Sequence, residues 1–187
     1  MLFRSLAGLL AMTRDRPAYE EICQRLLAKF ANPTNPFVAE RMVQDSLLLP
    51  HSEVDLESVD KLADTALTAG SGDPAMPYFE ACKAMSDYRL GNFAQAIAWG
   101  EKAAKSSIDL AEAKAYAVLA MARWQLGQKE IARAMLDRGD SLTPGPGSDG
   151  EDIGESWVSW LFARISLDEA AALIHSAPTA DNNSTPP

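Results

Sequence analysis

Apolar residues recur every three or four positions along most of this chain. Residues 17–30 show the pattern most completely, with one helix face formed by Tyr19, Ile22, Cys23, Leu26, Leu27 and Phe30. Spacing of this kind is typical of an amphipathic α-helix, and no run alternates with period two over the length of a strand. The periodicity therefore predicts an all-α fold.

Proline, glycine and capping residues divide the chain into about nine helices. Helix starts are indicated at Asn35-Pro36, Asp55 and Asp73-Pro74, where a side chain can accept the first free backbone N–H groups. Two further pairs, Asn92 with Gln95 and Asp109 with Glu112, have the spacing of a capping box. Gly70, Gly91 and Gly127 mark helix ends.

Short turns between successive helices indicate antiparallel hairpins. We predict a single domain over residues 1–175, with hairpins at about 2–30, 36–69, 74–106 and 109–141. A capping helix at about 151–175 completes it. Proline and glycine make residues 143–150 a linker. Residues 176–187, rich in Asn, Thr and Pro, are predicted to be a disordered tail.

Two of the predicted hairpins resemble each other. Their turn glycines, Gly91 and Gly127, lie 36 residues apart, and each has an alanine seven residues before it and another five residues after it. Small residues let two helices cross closely, and glycine adopts the left-handed turn between them. The repeat predicts that successive helix pairs stack on one another.

At these positions the chain resembles the tetratricopeptide repeat. The second copy matches the motif at Tyr116, Leu119, Ala120, Gly127, Ala132 and Pro144. The first copy carries Glu80 and Lys83 where the motif has an aromatic residue and a leucine, and it lacks the terminal proline. The resemblance implies an α-α superhelix of antiparallel hairpins that binds other proteins.

A second resemblance covers nearly the whole chain. Residues 9–16, Asn35-Pro36, residues 157–161 and 169–173 are similar to the helical region that follows the kinase domain in many bacterial serine/threonine protein kinases. That similarity implies a protein-binding scaffold in signalling. The chain itself contains no Gly-rich phosphate loop, no His-Arg-Asp and no Asp-Phe-Gly, so it is not predicted to be a kinase.

Composition and charge limit the classes of partner that we expect. The chain has 187 residues, of which 47% are hydrophobic, and a formal net charge of -9. It can bury a core, and its charge disfavours nucleic acid and anionic membranes while favouring encounters with a basic peptide. The simpler interpretation is that the charge only maintains solubility.

Two features bear on localisation. Cys23 and Cys82 lie among apolar residues, which predicts two reduced, buried thiols and a cytoplasmic protein, with a disulfide as the alternative. No segment is long enough to span a bilayer. The short apolar stretch of residues 6–12 is predicted to be a first amphipathic helix rather than a signal peptide.

Candidate catalytic residues are lacking. The two histidines, His51 and His175, have no metal-ligand spacing around them. The adjacent carboxylates Glu20-Glu21, Glu151-Asp152 and Asp168-Glu169 point to different sides of a helix and are predicted to be solvated. We therefore expect no enzymatic activity, no metal and no cofactor.

The repeat register predicts where a partner would bind. The first helix of each pair lines the concave side of such a stack. There the sequence places Tyr78, Met85, Tyr88, Arg89, Lys114, Met121, Trp124 and Gln125. This apolar and aromatic lining suits a helix or an extended segment of a protein or peptide partner. The alternative is internal packing, with Trp157 and Trp160 of the C-terminal helix filling the groove.

These observations predict a non-catalytic protein-interaction scaffold that is a monomer or a weak homodimer. The alternative function is structural self-association, in which exposed helix faces pair two chains.

Overall fold

The computed structural model describes residues 2–50, 53–143 and 157–176. This part of the chain forms nine α-helices and no strand: α1 Leu2–Met12, α2 Arg16–Lys29, α3 Pro36–Leu47, α4 Leu56–Ala69, α5 Met76–Arg89, α6 Phe93–Ala103, α7 Asp109–Gln125, α8 Lys129–Ser141 and α9 Trp157–His175. The all-α prediction is confirmed. The predicted linker after Thr143, the start of the capping helix at residues 151–156 and the tail after Ser176 lie outside the described residues, as does His51.

The helices pack as consecutive hairpins. Each of the pairs α1–α2, α3–α4, α5–α6 and α7–α8 is in contact, and α3, α5 and α7 also touch one another in turn. We call these last three the inner helices. Their assignment to a tetratricopeptide superhelix stays a prediction.

Two of the predicted helix starts have the expected capping chemistry. Asn35 Oδ1 accepts from the backbone N–H groups of Phe37 and Val38 at 3.0 and 3.2 Å. Asp55 Oδ1 accepts in the same way from Glu57 and Ser58. Asp15, which the sequence did not predict as a cap, caps α2 through the N–H of Ala18. Each carboxylate or amide oxygen thus satisfies donors that have no partner within the helix.

The two predicted capping boxes are wrong. Asn92 is the cap residue of α6, but its side chain makes no capping bond and its amide instead lies 3.5 Å from Asp87 Oδ1. Asp109 is already the first residue of α7, and Ile108 occupies the cap. Asp73 was predicted to start a helix, but it does not cap α5. Its carboxylate accepts from the N–H of Ala75, and α5 begins only at Met76.

The repeat glycines and alanines behave as predicted. Gly91 and Gly127 have φ angles of +81° and +75°, which an L-residue with a side chain adopts only with strain. The four alanines at the matching positions, Ala84, Ala96, Ala120 and Ala132, are fully buried. Close helix packing at both copies of the repeat is therefore confirmed.

Charged residues on α4 explain how the first repeat accommodates Lys83. Its ammonium lies 2.7 Å from Asp60 Oδ1 and 3.0 Å from Asp64 Oδ1. Lys83 is only 9% exposed, so these ion pairs offset the cost of burying its charge. An ion-paired lysine therefore occupies the position at which the resemblance to the tetratricopeptide repeat implies a leucine.

A separate polar contact joins α2 to α3. The Tyr19 hydroxyl donates to the carbonyl oxygen of Asp45 at 2.7 Å and accepts from the N–H of Leu48. Cys23 packs beside it, and both Cys23 and Cys82 are buried free thiols. Burial raises the pKa of Cys23 to about 12, so this thiol stays protonated and unreactive. The prediction of two reduced cysteines is confirmed.

Helix α9 connects the two ends of the structure. It contacts α7 and α8, and it also contacts α1 in the first hairpin. Two glycines make room for it: a Cβ atom at Gly8 would lie 2.8 Å from the Phe162 ring, and one at Gly139 would lie 2.5 Å from Leu167 Cδ2. Bulky residues of α9 therefore fit against backbone on α1 and on α8.

Candidate partner-binding cleft

Part of the predicted binding surface is buried beneath α9. Met121 has no exposed surface and belongs to a core cluster with Leu167, Ala170 and Ile174 of α9. Met85 is half-buried, and it lines a small pocket of about 30 Å³ together with Lys114 and Phe162. That volume has room for about one water molecule. We call this region, between α9 and the inner helices, the covered groove.

Lys114 is held inside the covered groove. It is 7% exposed, and its ammonium donates to Gln44 Oε1 at 3.2 Å. The ring centroids of Tyr78 and Phe162 lie 5.1 and 5.8 Å from it, within the range of a cation–π interaction. The lysine predicted to line the binding surface is thus engaged by the protein's own residues.

An ion pair marks the end of the covered groove. Arg89 donates from its two terminal nitrogens to the two carboxylate oxygens of Glu169, at 2.5 and 2.6 Å, and also to the carbonyl oxygen of Leu47 at 2.9 Å. Burial opposes the charge on Arg89, but the hydrogen bonds to Glu169 raise the pKa of the guanidinium above its ordinary value. This bidentate contact attaches α9 to α5.

Beyond this ion pair the surface opens into a cleft of about 540 Å³. The C-terminal ends of α5, α7 and α9 meet there. We call it the open cleft, and its lining consists of Pro50, Leu56, Tyr88, Arg89, Gly91, Phe93, Gln125, Glu169, Ala172, Leu173 and Ser176. The volume falls in the range of ordinary ligand sites, and most of the lining is apolar with a few polar groups.

Aromatic and polar groups meet in the open cleft. The ring centroids of Tyr88 and Phe93 are 5.8 Å apart with a tilted geometry, so the two rings form one continuous aromatic surface. Burial raises the pKa of Tyr88 despite its hydrogen bond with Gln125. Gln125 itself is exposed. Such an arrangement offers apolar area together with amide and hydroxyl groups that can bond a peptide backbone.

The eight residues predicted to bind a partner therefore do not all lie in one site. Tyr88, Arg89 and Gln125 line the open cleft. Met85, Lys114 and Met121 lie in the covered groove, and Tyr78 stands beside Lys114. Trp124 is half-buried and faces Lys129 and Arg133 of α8, whose cationic groups lie 5.4 and 5.5 Å from its ring centroid.

Two predictions about α9 need correction. Trp157 is 38% exposed, whereas Trp160 is half-buried and packs against the core cluster that contains Phe162. Phe162 and Leu167 supply the fully buried side chains in the groove. Glu169 was predicted to be solvated, yet its side chain is only 18% exposed because it binds Arg89. Adjacent carboxylates do point apart, as Asp168 pairs with Arg164 on the outer side, and this places Glu169 inward.

Sequence reasoning missed Phe93 and Leu173 as lining residues. Phe93 follows the turn glycine Gly91 by two residues, and Leu173 lies one helical turn after Glu169. The repeat register assigns binding positions only to the first helix of each pair. Neither residue belongs to such a helix, so the register contained no signal for them.

The described residues offer neither a metal site nor a membrane-spanning helix. These residues contain no group of three or more His, Cys, Asp or Glu side chains able to hold a metal ion. Across the same ranges, every helix is too short or too polar to cross a membrane.

In comparisons with known proteins, no family model, no curated protein and no solved structure matches this chain.

Proposed function

We propose that this chain is a non-catalytic, tetratricopeptide-like interaction module that binds a protein or peptide segment in the open cleft. The accessible aromatic pair of Tyr88 and Phe93, beside Gln125 and Leu173, is the observation that carries the proposal. Partly exposed aromatic residues in a concave site are the usual anchors of protein recognition. A place in bacterial kinase signalling and a cytoplasmic location belong to the same proposal.

The burial of the covered groove supports the proposal that a partner binds in the open cleft. An external helix on the inner helices would have to displace α9, whose Phe162 and Leu167 are buried to 2% and 0% exposure. The open cleft needs no such displacement, so a segment entering it meets a preformed surface. Preformed sites bind without the cost of rearranging the protein.

A peptide selection tests the proposal. Peptides selected from a displayed random library on the wild-type protein are measured for affinity to Tyr88→Ala and to Lys61→Ala, an exposed control on α4. We expect Tyr88→Ala to weaken binding at least tenfold, the loss typical of an aromatic anchor, and Lys61→Ala to leave it unchanged. Selected peptides that bind both variants equally would overturn the proposal.

One surface favours the alternative of self-association. Leu6, Leu9 and Met12 on one face of α1 are 41%, 48% and 57% exposed, which leaves a row of large apolar side chains in solvent. Pairing of two such faces would cover them. Sedimentation velocity over a hundredfold range of concentration tests this alternative. A dimer that Leu9→Glu dissociates would support it, and a monomer at all concentrations would exclude it.

A further inference from the structure

We propose that the open cleft selects a positively charged side chain, lysine or arginine, carried on an apolar segment of the partner. This inference rests on the proposed function of the cleft and specifies its ligand. It follows from three features of the described residues: the helix ends that meet there, the accessible member of the ion pair, and the aromatic surface.

Helix ends contribute partial negative charge to the cleft. The last residues of α5, α7 and α9 approach it, and Arg89, Gln125 and Ser176 all contribute to its lining. The C-terminus of a helix is equivalent to about half a negative charge. Three such ends around one cleft attract a cation and repel an anion.

The ion pair at the boundary presents its negative partner. Among the described residues that line the cleft, Arg89 and Glu169 are the charged ones, and they compensate each other. The side chain of Glu169 is 18% exposed and that of Arg89 is 8% exposed. Arg89 also has its terminal nitrogens bonded to Glu169 and to the carbonyl of Leu47. An incoming group therefore meets the carboxylate more readily than the guanidinium.

Tyr88 and Phe93 complete the site. The Arg89 guanidinium already lies 5.6 Å from the Tyr88 ring centroid, so Phe93 supplies the further ring face that can accept a cation in addition to apolar contact. The whole chain, at a net charge of -9, favours the approach of a basic segment.

Three small probes of similar shape separate charge from apolar contact. Phenethylammonium, phenethyl alcohol and phenylacetate are titrated into the ¹⁵N-labelled full chain, and amide shifts are followed at Tyr88, Gln125 and Leu173. We expect phenethylammonium to bind about fivefold or more tightly than the alcohol, since each helix end is worth up to about 1 kcal/mol to a cation. Phenylacetate should bind most weakly.

Matched variants of Gln125 test the same point. This residue is exposed, so Gln125→Glu and Gln125→Lys should both fold. The first should tighten the binding of phenethylammonium severalfold, and the second should weaken it by a similar factor. Equal affinity of wild type and both variants would overturn the inference.

The outcomes distinguish this inference from the proposed function. Equal binding of all three probes, or preferred binding of phenylacetate, would overturn the charge preference and leave the cleft as a binding site. Absence of any shift at the cleft residues, with all three probes, would overturn both. A preference for phenethylammonium that follows the Gln125 variants supports both.

Discussion

The covered groove and the open cleft lie on the same inner helices but differ in what completes them. In the covered groove, α9 supplies Phe162, Leu167 and Glu169, and Met121 beneath it has no exposed surface. In the open cleft, α9 ends, so Tyr88 and Gln125 keep access to solvent. One surface is thus part of the core and the other is available to a partner, although the repeat register treats them alike.

The largest expected difference between the two regions comes from removing a phenylalanine. Phe162→Ala should lower the free energy of unfolding by about 3–5 kcal/mol, because it leaves a cavity between α9, α1 and the inner helices. Phe93→Ala in the open cleft is the matched control and should cost about 1–2 kcal/mol, since part of its ring is already exposed. Urea denaturation measures both. Equal losses would remove the distinction between the regions.

Glu169→Gln should have the next largest effect. The change leaves the buried Arg89 without its anionic partner, at a cost of about 2–3 kcal/mol. A protein with both Arg89→Met and Glu169→Met should lose less stability than the two single methionine variants lose together, because neither charge then remains unpaired. Thermal unfolding of the wild type, the two single methionine variants and the double variant measures the coupling energy. Simple additivity would mean that the ion pair does not hold α9 in place.

Gly139→Ala probes how closely α9 sits against α8. The added Cβ would lie 2.5 Å from Leu167 Cδ2, so we expect a loss of about 1–2 kcal/mol from overpacking. In a Leu167→Ala background the same change should cost less, because the contact with Tyr116 Cβ at 3.2 Å is then the tight one that remains. Chemical denaturation of the double-mutant cycle checks this. Equal losses in both backgrounds would contradict the packing.

Gln125→Ala should have the smallest effect on stability, within about 0.5 kcal/mol, because the side chain is exposed. Its effect should appear in binding, where loss of the amide beside Tyr88 weakens the selected peptides severalfold. Calorimetry of folding and of peptide binding separates the two effects. A large loss of stability would show that the open cleft is as structural as the covered groove.

The sequence predicted the helices well because the relevant forces are local. Apolar spacing gave the buried face of α2, and Asn35 and Asp55 capped the helices they precede. The turn glycines Gly91 and Gly127 had the expected positive φ. The capping boxes failed because the same residue types have competing partners, such as Asp87 for Asn92.

The site was only partly predictable because it depends on long-range contacts. The register of the repeat correctly placed Tyr88, Arg89 and Gln125 near one another, but it could not show that α9 covers Met121 and Lys114. That contact depends on Gly8 and Gly139, which are far from α9 in sequence and have no helix-ending role. A helix that packs across several others leaves no periodic signal in any one of them.

Amide hydrogen exchange, with and without a selected peptide, tests most directly whether the covered groove belongs to the core while the open cleft binds a partner. The account predicts that residues 161–170 of α9 exchange as slowly as the centre of α7. The peptide should add protection only around residues 88–93, 125 and 173. Faster exchange throughout α9 on peptide binding would show that the partner displaces α9, and would contradict the assignment of the covered groove to the core.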